Sequence, residues 1–188
     1  MCTGLGGHEE SDGGSMYQPV LNFQPFTPIE ILETEYPVRV TEFGVRTDSA
    51  GPGRRRGGVG YVREYEVLED DCILTARSSQ HKHTSQGVQG GLGSAPTRCT
   101  LTRANGEVEP QPTISTMHMK PGDRFKVEQS GGSGYGDPFT RDPALVLDDV
   151  FNGYVSIEKA AEAYGVAIDP ATMTVNDAAT RALRATRA

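Results

Sequence analysis

The 188-residue sequence has no tryptophan and only three cysteines, Cys2, Cys72 and Cys99. They are odd in number and widely spaced, and no CxxC pair occurs, which excludes a zinc ribbon or a CxxC redox disulfide held within this chain. Reduced structural thiols are the expectation, with Cys72 (before Ile73 and Leu74) and Cys99 (before a Thr/Leu run) read as strand residues. No apolar run approaches the roughly 20 residues that cross a bilayer, and the first residues have neither the basic start nor the apolar stretch of an export signal. A cytoplasmic protein is expected. Excess positive charge is missing too: 18 Lys and Arg face 25 Asp and Glu, a formal net charge of -7. That balance argues against general affinity for nucleic acid or anionic membrane, both polyanions. The GxSxG elbow, HExxH and a cysteine in catalytic context are all absent.

What is abundant is glycine, 23 residues, together with 12 prolines. Residues 1–28 carry Gly4, Gly6, Gly7, Gly13, Gly14, Pro19, Pro25 and Pro28 without a period of their own. Such a segment needs another surface to order it, so the expectation is an extended arm packed on a partner. Over residues 29–140 period two dominates, at Val38–Phe43, Val59–Val67, Cys72–Arg77, Cys99–Arg103 and Phe125–Gln129. Turn chemistry separates these runs at Gly51-Pro52-Gly53, Asn105-Gly106 and Pro121-Gly122-Asp123. The fold class predicted is mainly β, an antiparallel sheet, sandwich or open barrel, with a helical C-terminal tail over 141–188. In that tail Asp142 caps a helix with Pro143 in its first position and Leu147, Val150 and Phe151 on one face, ending near Gly153. Ser156 caps a second helix, with Ile157, Ala160, Ala161 and Tyr164 at i, i+3, i+4 and i+7 before Gly165. Asp177 is expected to cap a third, with Arg181, Arg184 and Arg187 towards its end.

Three clusters are candidates for chemistry. The run Gly131–Gly136 resembles a phosphate loop only superficially, because Asp137-Pro138 follows where Lys and Ser/Thr are needed; close backbone packing is the better reading. Arg54, Arg55 and Arg56 are the densest positive charge and suit an anion, although a turn whose arginines pair with acids of another subunit fits as well. Arg77, His81 and His83 follow the Cys72–Arg77 strand and lead into a glycine-rich loop, where polar side chains carried by a rigid element can face a reaction, although a surface loop that only binds another subunit fits as well. No Cys, Asp or Glu adjoins these histidines to complete a metal shell, so no metal site is predicted. His118, in an apolar-alternating stretch, reads as a core or interface histidine.

Function is suggested by resemblance. Gly131-Gly132-Ser133-Gly134-Tyr135-Gly136-Asp137-Pro138, Arg141-Asp142-Pro143, Asp149-Val150, Val155-Ser156 and Tyr164-Gly165-Val166 resemble the C-terminal signature of the hydantoinase B family, which includes oxoprolinases. Pro28–Glu33, Gly51-Pro52-Gly53, Arg56-Gly57-Gly58-Val59-Gly60, Arg63-Glu64-Tyr65, Gly87, Gly90-Gly91 and Pro121-Gly122-Asp123 continue the match in order. The resemblance implies a split small subunit, starting within a larger architecture, of an ATP-dependent cyclic-amide hydrolase. It would complete a larger B-type subunit that carries a divalent metal, and work with an A-type actin-like ATPase subunit that carries ATP and magnesium. No cofactor is expected on this chain, which alone would be inactive. A subunit of an acetone- or acetophenone-type ketone carboxylase, or a non-catalytic binding module, are the alternatives.

Overall fold

Alternating side chains and turn-forming residues make the strands, and the computed structural model, which describes residues 3–16 and 26–186, shows how they pair. A short helix α1 (Ile29–Glu35) precedes β1 (Val38–Val45) and β2 (Tyr61–Val67). Next come β3 (Cys72–Arg77), β4 (Arg98–Thr102), β5 (Val108–Pro110), β6 (Ile114–Met119) and β7 (Arg124–Glu128). The strands form a five-stranded antiparallel sheet in the order β1-β2-β7-β4-β5 and a separate ribbon of β3 with β6. Residues of both enclose one core: Val67, Cys99, Leu101, Phe125 and Val127 from the sheet, Ala76, Met117 and Met119 from the ribbon. The mainly β class therefore holds.

The turns behave as their residues dictate. Gly106 and Gly122 lie at φ +89° and +85°, where a Cβ would be strained. Asp123 beside the second turn is buried and accepts hydrogen bonds from the backbone N–H groups of Ala104 and Lys120 and from Arg103 Nη1. Burial pushes its carboxyl up, but these donors and the Arg103 charge outweigh it and hold the group below its ordinary value. His118 is not a core residue. It lies on β6 but is exposed, because alternation turns Met117 and Met119 into the core.

The tail comprises α2 (Pro143–Phe151), α3 (Ile157–Tyr164), a two-residue ribbon β8 (Ile168–Asp169) with β9 (Thr174–Val175), and α4 (Asp177–Ala185). Asp142 and Ser156 cap as predicted, accepting from Ala144 N and Lys159 N, and Gly165 ends α3 in the left-handed region. A second core gathers Val146, Val155, Ala160, Ala163, Tyr164, Val166 and Ile168. Two details are corrected. Phe151 is 77% exposed, since α2 turns Val146 and Asp149 inward, and α4 is capped by Asn176 rather than Asp177. Asn176 sits one residue before the first helical turn, where its side-chain oxygen meets Ala179 N. Arg187 lies outside the described residues.

Between the two cores lies a layer built from backbone. Extended glycine-rich segments around residues 4–14, 49–60, 91–92 and 130–136 are joined by single hydrogen bonds, among them Leu5 N to Gly14 O (2.9 Å), Gly58 N to Leu5 O (2.7 Å), Gly132 N to Gly58 O (2.8 Å) and Gly134 N to Leu92 O (2.9 Å). A Cβ at Gly132 would overlap the Leu5 carbonyl, and one at Gly58 the Gly14 carbonyl. Only glycine permits chains this close. The surface that orders residues 3–16 in this structure is thus the chain's own; Cys2 and residues 17–25 lie outside the described residues.

Buried charges clamp this layer to the tail. Arg141, 1% exposed, donates to both oxygens of Asp12 (2.7 and 2.7 Å) and to Asp149 Oδ2 (2.8 Å). Arg56 Nε donates to Asp149 Oδ1 at 3.0 Å, and its guanidinium lies 5.0 Å from the Tyr154 ring centroid. Burial opposes the charge of Asp12, but Arg141 and Arg56 outweigh it and hold that carboxyl below its usual range. For Asp149 burial dominates and pushes the carboxyl up against the same two cations.

Three outcomes are expected from denaturant melts of purified protein. Ser156→Ala should cost about 1 kcal/mol through the lost cap, and Tyr164→Ala roughly 3–5 kcal/mol, because the ring is 1% exposed. Asp149→Asn, which leaves two buried guanidiniums facing a neutral group, should cost about 3–5 kcal/mol, and Asp12→Asn, at a more exposed position, less. The third concerns acid. A carboxylate depressed on folding contributes stability above its unfolded value, 3.8 for Asp123, and loses it as pH falls through the lower folded value. Asp123→Asn should therefore flatten the fall in stability below about pH 4 relative to the unmodified chain.

Candidate functional site

The alternation of β3 ends at Arg77, and Ser78 N is held by Thr113 O at 2.9 Å, so the chain leaves the ribbon at a fixed point. Gln80 then pins the departing loop. At φ +64° it accepts at its backbone oxygen from Thr97 N, its side-chain oxygen accepts from Ser130 Oγ, and its Nε2 donates to Ser85 Oγ. His81 is half-buried with Nε2 2.6 Å from Ser78 Oγ, which in turn lies 3.5 Å from Cys99 Sγ. Burial pushes the Cys99 thiol up, the Ser78 hydrogen bond only partly offsetting it, so this cysteine is a packing residue rather than a nucleophile.

Arg77 is exposed and lines an open cavity of about 320 Å³ with Thr3, Ser78, Ser79, Thr113 and Gln129. Gln129 Oε1 is buried and has no hydrogen-bond partner among the described residues. Ser78 thus lines the cavity beside Arg77 and is engaged by His81, which is not among the cavity's lining residues. His83 is exposed two residues further on. Among the described residues no group of three His, Cys, Asp or Glu could hold a metal ion.

The arginine run falls elsewhere and is divided. Arg56 is buried and its anion is the internal Asp149, while Arg54 is exposed and Arg55 half-exposed, its Nε donating to Glu9 O at 3.4 Å. Arg54 N and Arg55 N bond to Gly136 O and Tyr135 O. On the other side of the same segment Val88 N donates to Gly134 O, and Gly136 N to Val88 O, so residues 134–136 separate the arginines from the returning loop.

The glycine run itself does not fit a nucleotide phosphate. The N–H groups of Gly131, Gly132, Gly134, Tyr135 and Gly136 are taken by Ser49, Gly58, Leu92, Arg55 and Val88 carbonyls. Donors committed inside the fold cannot cradle an anion. Sequence reasoning did not foresee the Asp12–Arg141–Asp149–Arg56 network. Its one local signal is the arginine at 141 ahead of a capped helix, and nothing near it in sequence marks that side chain as buried.

Similarity to known proteins agrees with this architecture. The chain is 34% identical to the β subunit of caprolactamase from Pseudomonas jessenii over 98% of its length and 33% of that subunit. It is 32% identical to the B-type subunit of a putative D-/L-hydantoinase from Pseudomonas sp., over 87% of this chain and 28% of that one. A solved structure of acetone carboxylase superposes with a TM-score of 0.89 over 99% of this chain and 29% of the other, at 24% identity, a likeness of fold alone. The chain thus spans about a third or less of these relatives. Residues 1–138 match the family model for hydantoinase B/oxoprolinase, and with that match added to the ordered run of glycines, caps and buried arginines, the chain belongs to the hydantoinase B/oxoprolinase family.

Proposed function

We propose that this chain is the C-terminal, site-completing portion of an ATP-dependent cyclic-amide hydrolase of the hydantoinase, oxoprolinase or lactamase type. The observation that carries the reading is end-to-end similarity to a caprolactamase β subunit, of which the chain corresponds to one third. Its complement would be the larger B-type portion, carrying a divalent metal, and an A-type actin-like ATPase subunit would carry ATP and magnesium. Apolar side chains left exposed at Ile73, Val108, Ile114 and Phe151 suit such an assembly. ATP would supply a phosphoryl group to the amide carbonyl oxygen and so make its carbon a better electrophile. The N–H groups of the glycine run are committed inside the fold, so the chain's own contribution is sought in the loop after β3. Arg77, on the open cavity, suits charge developing on the substrate oxygen. His81 has Nε2 engaged by Ser78, which leaves Nδ1 for proton transfer to the leaving nitrogen. Arg54 and Arg55 remain as anion contacts on a separate surface. A ketone carboxylase of the acetone type is the second reading, favoured by the superposition but at an identity that supports fold only.

The test is His81→Gln and His83→Gln, made separately in the assembled complex, with assembly followed by sedimentation and ATP turnover by phosphate release. Hydantoin, oxoproline and caprolactam would be offered with and without bicarbonate. Amide-stimulated turnover independent of bicarbonate, falling about 10²-fold or more in His81→Gln with assembly intact, is expected. Stimulation only by a ketone with bicarbonate would select the carboxylase reading. Unchanged turnover in both variants would remove these histidines from the chemistry.

A further inference from the structure

A hydroxyl and an imidazole stand in contact where β3 ends. Ser78 Oγ lies 2.6 Å from His81 Nε2 and 3.5 Å from Cys99 Sγ. The direction of these bonds decides what the pair can do. At 2.6 Å the first is within the range of bonds donated by a hydroxyl, about 2.5–3.0 Å, and shorter than those donated by an N–H group, about 2.7–3.2 Å. Cys99 points the same way. It sits in the apolar core, where burial keeps the thiol protonated, and Ser78 Oγ is the acceptor within reach of its S–H. With that oxygen accepting from the thiol, the serine's own proton goes to Nε2, and the ring proton resides on Nδ1. A serine that donates to an imidazole is the arrangement that activates a hydroxyl as a nucleophile.

The surroundings fit acyl chemistry. Ser78 is half-buried and lines the open cavity of about 320 Å³. Gln80, tied to Thr97, Ser130 and Ser85, fixes the backbone that carries the imidazole to the serine. Ser79 lines the same cavity, and its backbone N–H has no acceptor among the described residues. The N–H of the residue after the nucleophile is a recurrent oxyanion donor. Arg77 is the one charged side chain among the described lining residues, and its planar fork matches a carboxylate. A volume of that size lies at the small end of ligand sites, roughly 300–1,000 Å³.

We infer that Ser78 and His81 form a nucleophile–base pair that hydrolyses small esters whose acyl group carries a carboxylate. Ser78 Oγ attacks the ester carbon as its proton passes to His81 Nε2. The C–O bond then breaks, the departing oxygen takes that proton, and an alcohol leaves behind an acyl-serine. Water attacks the acyl carbon next and gives a proton to Nε2, which returns it to Ser78 Oγ as the free acid departs. Arg77 pairs with the substrate carboxylate, and Ser79 N–H meets the oxyanion. No ATP enters the sequence. The pair works through Nε2, whereas the cyclic-amide reading uses Nδ1 and a phosphorylated substrate, so either can fail without the other.

The full chain, without ATP, would be treated with a fluorophosphonate and the modified residue located by mass spectrometry. Hydrolysis of p-nitrophenyl acetate would be compared with that of the p-nitrophenyl monoester of glutaric acid. The adduct is expected on Ser78, with kcat/KM higher for the glutaric monoester. Ser78→Ala and His81→Gln should each lower turnover of that ester about 10²-fold or more, with thermal melts showing the fold retained. Arg77→Met should lose the preference for the monoester over the acetate. The adduct is read on unmodified protein, so it reports even where Ser78→Ala does not fold. No adduct on Ser78, or ester turnover unchanged in folded Ser78→Ala, overturns the inference.

Discussion

Two arginines and two aspartates, all but Asp12 buried, hold this molecule together. Arg141 bridges Asp12 and Asp149, and Arg56 shares Asp149 from the other side. Asp12 belongs to the N-terminal segment, Arg56 to the glycine layer, Asp149 to α2, and the carbonyl of Arg141 receives Arg184 Nη2 of α4 at 2.6 Å. Three stretches of sequence therefore meet in one charge cluster, and a fourth, α4, is tied to it through that carbonyl. Such a cluster adds little over apolar packing when complete, since desolvation offsets most of the attraction, but any register that left one member alone would be heavily penalised. Its effect is to select one arrangement of segments that have few side chains to choose for themselves.

That selection matters because the layer it clamps is made of glycine. Where carbonyls of neighbouring segments stand at the place a Cβ would occupy, hydrophobic side chains cannot specify the packing, and single backbone hydrogen bonds replace sheet ladders. The same bonds consume the N–H groups of residues 131, 132 and 134–136, so the run that looks most like an anion loop is unable to act as one. What the layer does offer is rigidity. Ser130 and Thr97 at its border fasten Gln80, and through Gln80 the loop carrying Arg77 and His81 is set against a fixed support.

The functional picture follows from that placement and from family membership. Under the proposed function, the β core with its polar loop and open cavity would finish a site together with other parts of the assembly. The side chains proposed for chemistry, Arg77 at the end of β3 and His81 just after Gln80, would be presented by a rigid support.

Much of the framework was legible in the order of residues. Alternation read strands starting at 38, 59, 72, 99 and 125, against 38, 61, 72, 98 and 124 in the fold, Asn105-Gly106 and Pro121-Gly122 placed turns, and Asp142 and Ser156 placed caps, because each of these signals acts over a few neighbouring residues. Arg77, His81 and His83 were read as candidates together only because they are neighbours in sequence after one strand end. What only the tertiary structure decided is which segments touch. That Arg56 would be buried and Arg54 exposed, that Asp149 rather than Phe151 would face inward, and that Arg63 would be buried with Nε and Nη2 unpartnered among the described residues all depend on contacts distant in sequence, 93 residues away for Arg56 and 129 for Arg141. Local propensity is a short-range energy, whereas the burial of a charge is set by whatever the rest of the chain brings to it.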